Sequence, residues 1–195
     1  MSDRFAREFL KFEVTETSEG MGYWLDRPWV DEAQRPALVG AAILALPQEG
    51  DEENGPVFPE GSAGFIERFR EALGGDAVLG VAIRAGDYQE LALHSKAWRL
   101  PTLLLTYGVL PVALSILANR IDELLPGHKT GDTAEVTLIV EGPHHKALKL
   151  HYKGDARQMG QMLQDTVTRF IDELDDAPAA PHQVHPRKRA RHGAE

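Results

Sequence analysis

Leu10, Phe12 and Val14 alternate with Lys11, Glu13 and Thr15 near the start of this chain, the period-2 pattern of a half-buried strand. The polar run TETSEG then predicts a turn. Leu38–Leu46 is an apolar stretch closed by Pro47, which predicts a buried strand. Residues 48–61, acidic and rich in Gly and Pro, predict an exposed loop. Ser62 is placed to cap a helix whose Phe65, Ile66, Phe69, Ala72 and Leu73 share one face, with Gly74-Gly75 as its stop. Val78–Ile83 and Tyr88–Leu93 flank Ala85-Gly86-Asp87 and predict a hairpin.

The second half opens on an uncharged run of 20 residues, Leu100–Asn119, and reaches Leu125-Pro126-Gly127. Val136, Leu138 and Val140 then alternate with Thr137, Ile139 and Glu141. After GPHHK, Leu148, Leu150 and Tyr152 alternate with Lys149, His151 and Lys153, so a second hairpin with one apolar face is predicted. Asp155 is placed to cap a final helix in which Met159, Met162, Leu163, Val167, Phe170, Ile171 and Leu174 keep the 3.6-residue period. From Pro178 the chain has little to bury and reads as a disordered tail.

Two readings of Leu100–Asn119 compete. Its length meets the requirement for a membrane span, about 20 apolar residues, with Lys96, Arg99 and Arg120 at its ends. Its punctuation fits a core instead: Pro111 is suited to a helix start, leaving Thr102–Tyr107 as a strand and Pro111–Leu125 as a helix. In that helix Leu110, Leu114, Leu117, Ile121 and Leu124 form one stripe, the face expected to enter a membrane or dock on a partner. The expectation carried forward is a membrane-inserted or partner-docked helix, with membrane-associated or cytoplasmic localisation. The mixed-charge N-terminus, MSDRFAREFLKFEV, does not read as a signal peptide.

Composition narrows the chemistry. The 195 residues contain no cysteine, which excludes disulfides, thiolate metal sites and cysteine nucleophiles. The net charge is −9. Arg187, Lys188, Arg189 and Arg191 against Glu195 give residues 178–195 a charge of +3, which leaves −12 on the rest. So acidic a body repels phosphate backbones and argues against nucleic-acid binding.

Candidate catalytic and cofactor motifs are weak. His144, His145 and His151 surround one hairpin and are the only candidate metal ligands there, in a spacing that matches no standard site. His182, His185 and His192 lie in the tail, where ordering a metal site costs entropy. GGDAVLG lacks the Lys-Ser/Thr of a nucleotide loop, and EGSAG around Ser62 is not preceded by the apolar strand of a nucleophile elbow. Asp51, Glu52 and Glu53 read as solvated carboxylates, and Trp24, Trp29 and Trp98 as packing residues. No catalytic residue and no cofactor is assigned.

Residues 100–174 place an apolar helix before EVTLIVEGP, a second strand LKLHYKG and a closing helix. That layout resembles the effector-associated small components of bacterial conflict systems, and the VTLIVEGP stretch carries the resemblance at residue level. The resemblance implies a non-enzymatic coupling role and transfers no functional residue.

The sequence thus predicts an α+β protein: an N-terminal strand–helix–hairpin unit over 1–98, a central hydrophobic segment over 99–125, a hairpin–helix unit over 126–177 and a tail over 178–195. The expected function is anchoring or coupling through the central helix. The alternatives are a wholly soluble, self-associating scaffold and a metal-dependent enzyme built on His144, His145 and His151.

Overall fold

A computed structural model of the chain describes residues 11–50, 55–92, 97–142 and 146–175. In chain order the elements are β1 (Lys11–Thr17), α1 (Met21–Leu25), α2 (Arg35–Val39), β2 (Ile43–Leu46), β3 (Phe58–Pro59), α3 (Ser62–Leu73), β4 (Leu79–Val81), β5 (Glu90–Leu91), β6 (Trp98–Arg99) and β7 (Thr102–Thr106). They continue with α4 (Leu110–Asn119), α5 (Ile121–Leu124), β8 (Thr133–Glu141), β9 (Ala147–Asp155) and α6 (Met159–Asp175). The fold is α+β. One mixed sheet runs β1-β9-β8-β7-β2-β4, with β6 also on β8, and β3 pairs β5 separately.

Two parallel pairs organise the sheet. β7 lies parallel to β8, and β2 parallel to β4. A parallel pair needs a crossover connection, because a tight turn can only reverse the chain. α4 and α5 make the first crossover and α3 the second. These helices and α6 cover one sheet face: Leu103, Leu105, Val136, Leu138 and Leu150 meet Phe69, Leu117 and Leu163 in the larger core. On the other face Trp24, Leu25 and Leu38 pack over Leu44, Leu104 and Ile139 in a smaller core.

The uncharged run is thereby divided. Leu103 and Leu105 point into one core and Leu104 into the other, so β7 is apolar without a break because it is buried on both faces. Tyr107–Val109 forms a turn of 3-10 helix, and Pro111 sits in the first turn of α4. The run is long because two buried elements are contiguous in it. The membrane-spanning expectation is corrected accordingly: among the described residues no helix is long and apolar enough to cross a membrane. Leu110, Leu114, Leu117, Ile121 and Leu124 are all buried in the larger core, so the stripe faces the protein's own sheet and helices.

Three other local expectations change. Leu38–Leu46 is not one strand, because its first residues close α2 and only Ile43–Leu46 is β-structure. Val78–Ile83 and Tyr88–Leu93 do not pair with each other; β4 joins β2 and β5 joins β3. Asp155 ends β9, and its carboxylate accepts the Arg157 N–H (2.9 Å) in the turn before α6. The β8–β9 hairpin forms with Val136 opposite Tyr152 and Leu138 opposite Leu150, and β1 adds beyond β9.

Candidate functional site: a groove on the free edge of β4

Among the described residues β4 pairs only with β2, so one side of it is a sheet edge. The Ile43 N–H donates to the Val78 carbonyl (3.2 Å) and the Ala82 N–H to the Ala45 carbonyl (2.9 Å). Backbone direction alternates along a strand, so the main-chain groups of Leu79 and Val81 point outward. Both outward carbonyls are engaged: Leu79 O accepts from Arg70 Nη2 at 3.4 Å, and Val81 O from the Ile83 N–H at 2.9 Å. The edge therefore presents two N–H donors beside two carbonyls that each already accept one hydrogen bond.

A groove of about 760 Å³ runs along this edge. Leu38 and the small side chains of Ala33 and Ala37 form one wall, and Ala63, Ile66 and Arg70 of α3 the other. Alanine at these places leaves the slot open where a larger side chain would fill it. At Gly80 a Cβ would lie 2.8 Å from Leu38 Cδ2, so the Leu38 side chain would have to shift to admit one.

Tyr88 lines the groove and is tied to the start of α3 through Glu90. Its ring stacks on Phe58 with centroids 4.8 Å apart, and its hydroxyl donates to Glu90 Oε1 at 2.8 Å. Glu90 in turn accepts the N–H groups of Gly61 (2.8 Å) and Ala63 (2.6 Å), two of the donors that a helix start leaves unpaired. Burial pushes the Glu90 carboxyl up, but the Ala63 N–H, the Tyr88 hydroxyl and the Gly61 N–H outweigh it and hold the group below its usual range. Burial, then the hydrogen bond and charge of Glu90, push the Tyr88 phenol well up. Ser62 does not cap the helix. It is buried, and its hydroxyl donates to the Pro59 carbonyl at 2.6 Å, which also leaves it unlike a nucleophile. No local signal links Glu90 to Gly61, 29 residues away.

The charged side chains lining the groove, Glu67 and Arg70, pair with each other at 3.0 Å. Arg84 pairs with Asp87 (2.7 Å) and Arg35 with Asp26. Asp31, Glu32, Glu71 and Asp76 are not part of the groove lining and make no ion pair among the described residues.

The remaining candidates lie elsewhere. His144 and His145 fall outside the described residues. His151 stands on the polar face of the sheet, its Nδ1 3.1 Å from Thr137 Oγ1 and its Nε2 3.8 Å from Glu135. Glu135 also pairs with Lys153 (3.2 Å) and Arg99 (3.6 Å), so this face is a set of cross-strand ion pairs. Among the described residues no group of three His, Asp or Glu is placed to hold a metal ion. Trp24 is buried and Trp29 packs against both cores, while the Trp98 indole donates to Asp132 at 3.2 Å. Asp51, Glu52, Glu53 and the tail histidines lie outside the described residues.

No family model matches this chain, and no curated protein and no solved structure matches it either.

Proposed function

We propose that this protein is a non-enzymatic coupling protein that receives an extended segment of a partner protein along the free edge of β4. The observation that carries the reading is the strand edge, with two outward N–H donors, lying between two helical walls. An added strand satisfies such an edge with its carbonyls and gains main-chain affinity from it. A helix does not fit the role, because its own carbonyls are already spent within it. Nor does a second copy's β4, which lies at the bottom of an identical slot. The coupling role expected from the sequence is kept, while its surface moves from the α4 stripe to this groove.

The test is a photo-cross-linking residue at position 37, on the groove wall, followed by mapping of the captured peptide. A single partner segment is expected at position 37, absent from a probe at Thr15 on the far edge of the sheet. The Val81→Pro variant should lose the capture, since it deletes one edge donor. Capture that is unchanged by Val81→Pro, or equal at Thr15, overturns the reading.

A further inference from the structure

A second cavity, of about 240 Å³, lies between α1 and the sheet and shares no lining residue with the β4 groove. We propose that it binds a single neutral, polyhydroxylated ring, a monosaccharide. Thr102 and Thr137 belong to its floor. Leu103 lies opposite Leu138 in the parallel β7–β8 pair, so the two threonines one step earlier are neighbours as well. Leu104 and Ile139, two residues further along each strand, enter the smaller core, and the period of 2 puts both threonines on that same face. Among the described residues the Thr102 hydroxyl makes no hydrogen bond, while Thr137 Oγ1 lies 3.1 Å from His151 Nδ1.

Charge and size narrow the ligand. The acids and bases around the cavity come in pairs: Lys149 Nζ holds Glu19 at 3.0 Å, and Arg27 holds Glu49 at 3.1 Å. A charged ligand would have to break one of these pairs, whereas a neutral one leaves both intact. Each pair keeps spare capacity, since a carboxylate accepts at both oxygens and an ammonium donates more than once. The Thr102 hydroxyl and the Gln48 amide both donate and accept. The lining therefore matches a ligand that donates and accepts at several points without carrying charge, which is what a set of hydroxyl groups does. Tyr23 and Trp24 add an aromatic wall. Their rings meet edge to face with centroids 5.5 Å apart, and the Arg27 guanidinium lies 3.8 Å over Tyr23, so the wall offers the ligand's C–H surface a rigid contact. The cavity is smaller than the roughly 300–1,000 Å³ of sites for drug-sized ligands, so it takes one ring and not a chain of them.

The experiment titrates the full chain with D-glucose, D-galactose and D-mannose, and with L-alanine as the zwitterionic comparison, and follows the backbone amides by nuclear magnetic resonance. At least one sugar should shift Gln48, Thr102 and Thr137 saturably, with a dissociation constant on the order of 1 mM for so small a ligand. Thr102→Val keeps the side chain's shape and removes its hydroxyl, and should weaken that binding about tenfold. Thr15→Val, opposite Lys149 on β1 but outside the cavity, should leave it unchanged. The absence of a saturable shift with every sugar overturns the proposal. So does binding of L-alanine where the sugars do not bind, which makes the cavity a site for a zwitterion. Equal affinity in Thr102→Val and the natural sequence also overturns it, by placing the sugar elsewhere.

Discussion

Gly160 of α6 sits directly on the backbone of Ala118 in α4: a Cβ at position 160 would fall onto Ala118 and lie 2.6 Å from the Leu117 carbonyl oxygen. Glycine is what lets the two helices approach this closely over the β8–β9 face.

Gly160→Ala tests that contact through the sign of its effect. In an open helix the exchange stabilises by about 1 kcal/mol. Here the methyl has backbone on its far side and must force the helices apart, at a cost of about 1–3 kcal/mol. Gly86, which has nothing within 4 Å, is the control and should change little. Urea midpoints of the two variants settle the matter, and a stabilised Gly160→Ala protein would remove the contact.

Val81→Pro and Ala82→Pro differ by one residue and should differ sharply in stability. The Val81 N–H faces outward, so its loss breaks no ladder bond, and proline is tolerated on strand edges. The Ala82 N–H donates to the Ala45 carbonyl, and its loss should cost about 1–3 kcal/mol for the buried acceptor left unpaired. Thermal unfolding of both variants checks the outward direction of the β4 edge. Equal losses would mean that the edge is assigned the wrong way round.

Glu90→Gln should destabilise α3 mainly above pH 5. The carboxyl is held below its usual value in the fold, so its stabilisation is present above the unfolded pKa, near 4.3, and is lost as pH falls through the lower folded value. The wild-type protein should therefore lose more stability than the variant over that acid window. At pH 7 the substitution should cost about 1 kcal/mol, the size of a helix-cap loss. Parallel acid titrations of unfolding midpoints would expose a Glu90 that does not cap.

The Tyr152 hydroxyl donates to the Asp155 carbonyl oxygen at 2.7 Å, and burial followed by the Asp155 charge pushes its pKa up to about 12. The fold favours the neutral phenol. Its contribution is therefore complete below the unfolded value of about 10 and is lost as pH rises from there towards 12. Tyr152→Phe should cost about 1 kcal/mol at neutral pH for the lost hydrogen bond. It should also make the alkaline decline between about pH 10 and 12 shallower than in the wild type. Absorbance at 295 nm, as wild type minus variant, should show the missing phenol ionising near pH 12.

Local patterns were legible where their partners are near in sequence. β8 and β9 alternate over most of their length because one face meets the larger core while the other carries Glu135, Thr137, His151 and Lys153, and the pattern breaks at Ile139, which enters the smaller core. α3 and α6 follow the helical period for the same reason. The uncharged run was ambiguous because a strand buried on both faces followed by a core helix has the same hydropathy as a membrane span. Pro111 was the local mark of the division, and the burial of Leu104 opposite Leu103 and Leu105 is its tertiary cause. β4 was misread as half of a hairpin because its true partner, β2, lies over 30 residues back, beyond the reach of any local turn signal.

By itself the sequence determined the α+β class, the helix faces and the charge imbalance between body and tail, all of which depend on side-chain identity and spacing. Tertiary structure alone decided the site. A backbone N–H at Val81 differs from one at Ala82 only in which strand lies beside it, and no side chain records that. Nor does the composition around Glu90 announce that it will meet the start of α3. The groove is what the sheet leaves unpaired after β2, β7, β8 and β9 have found their neighbours.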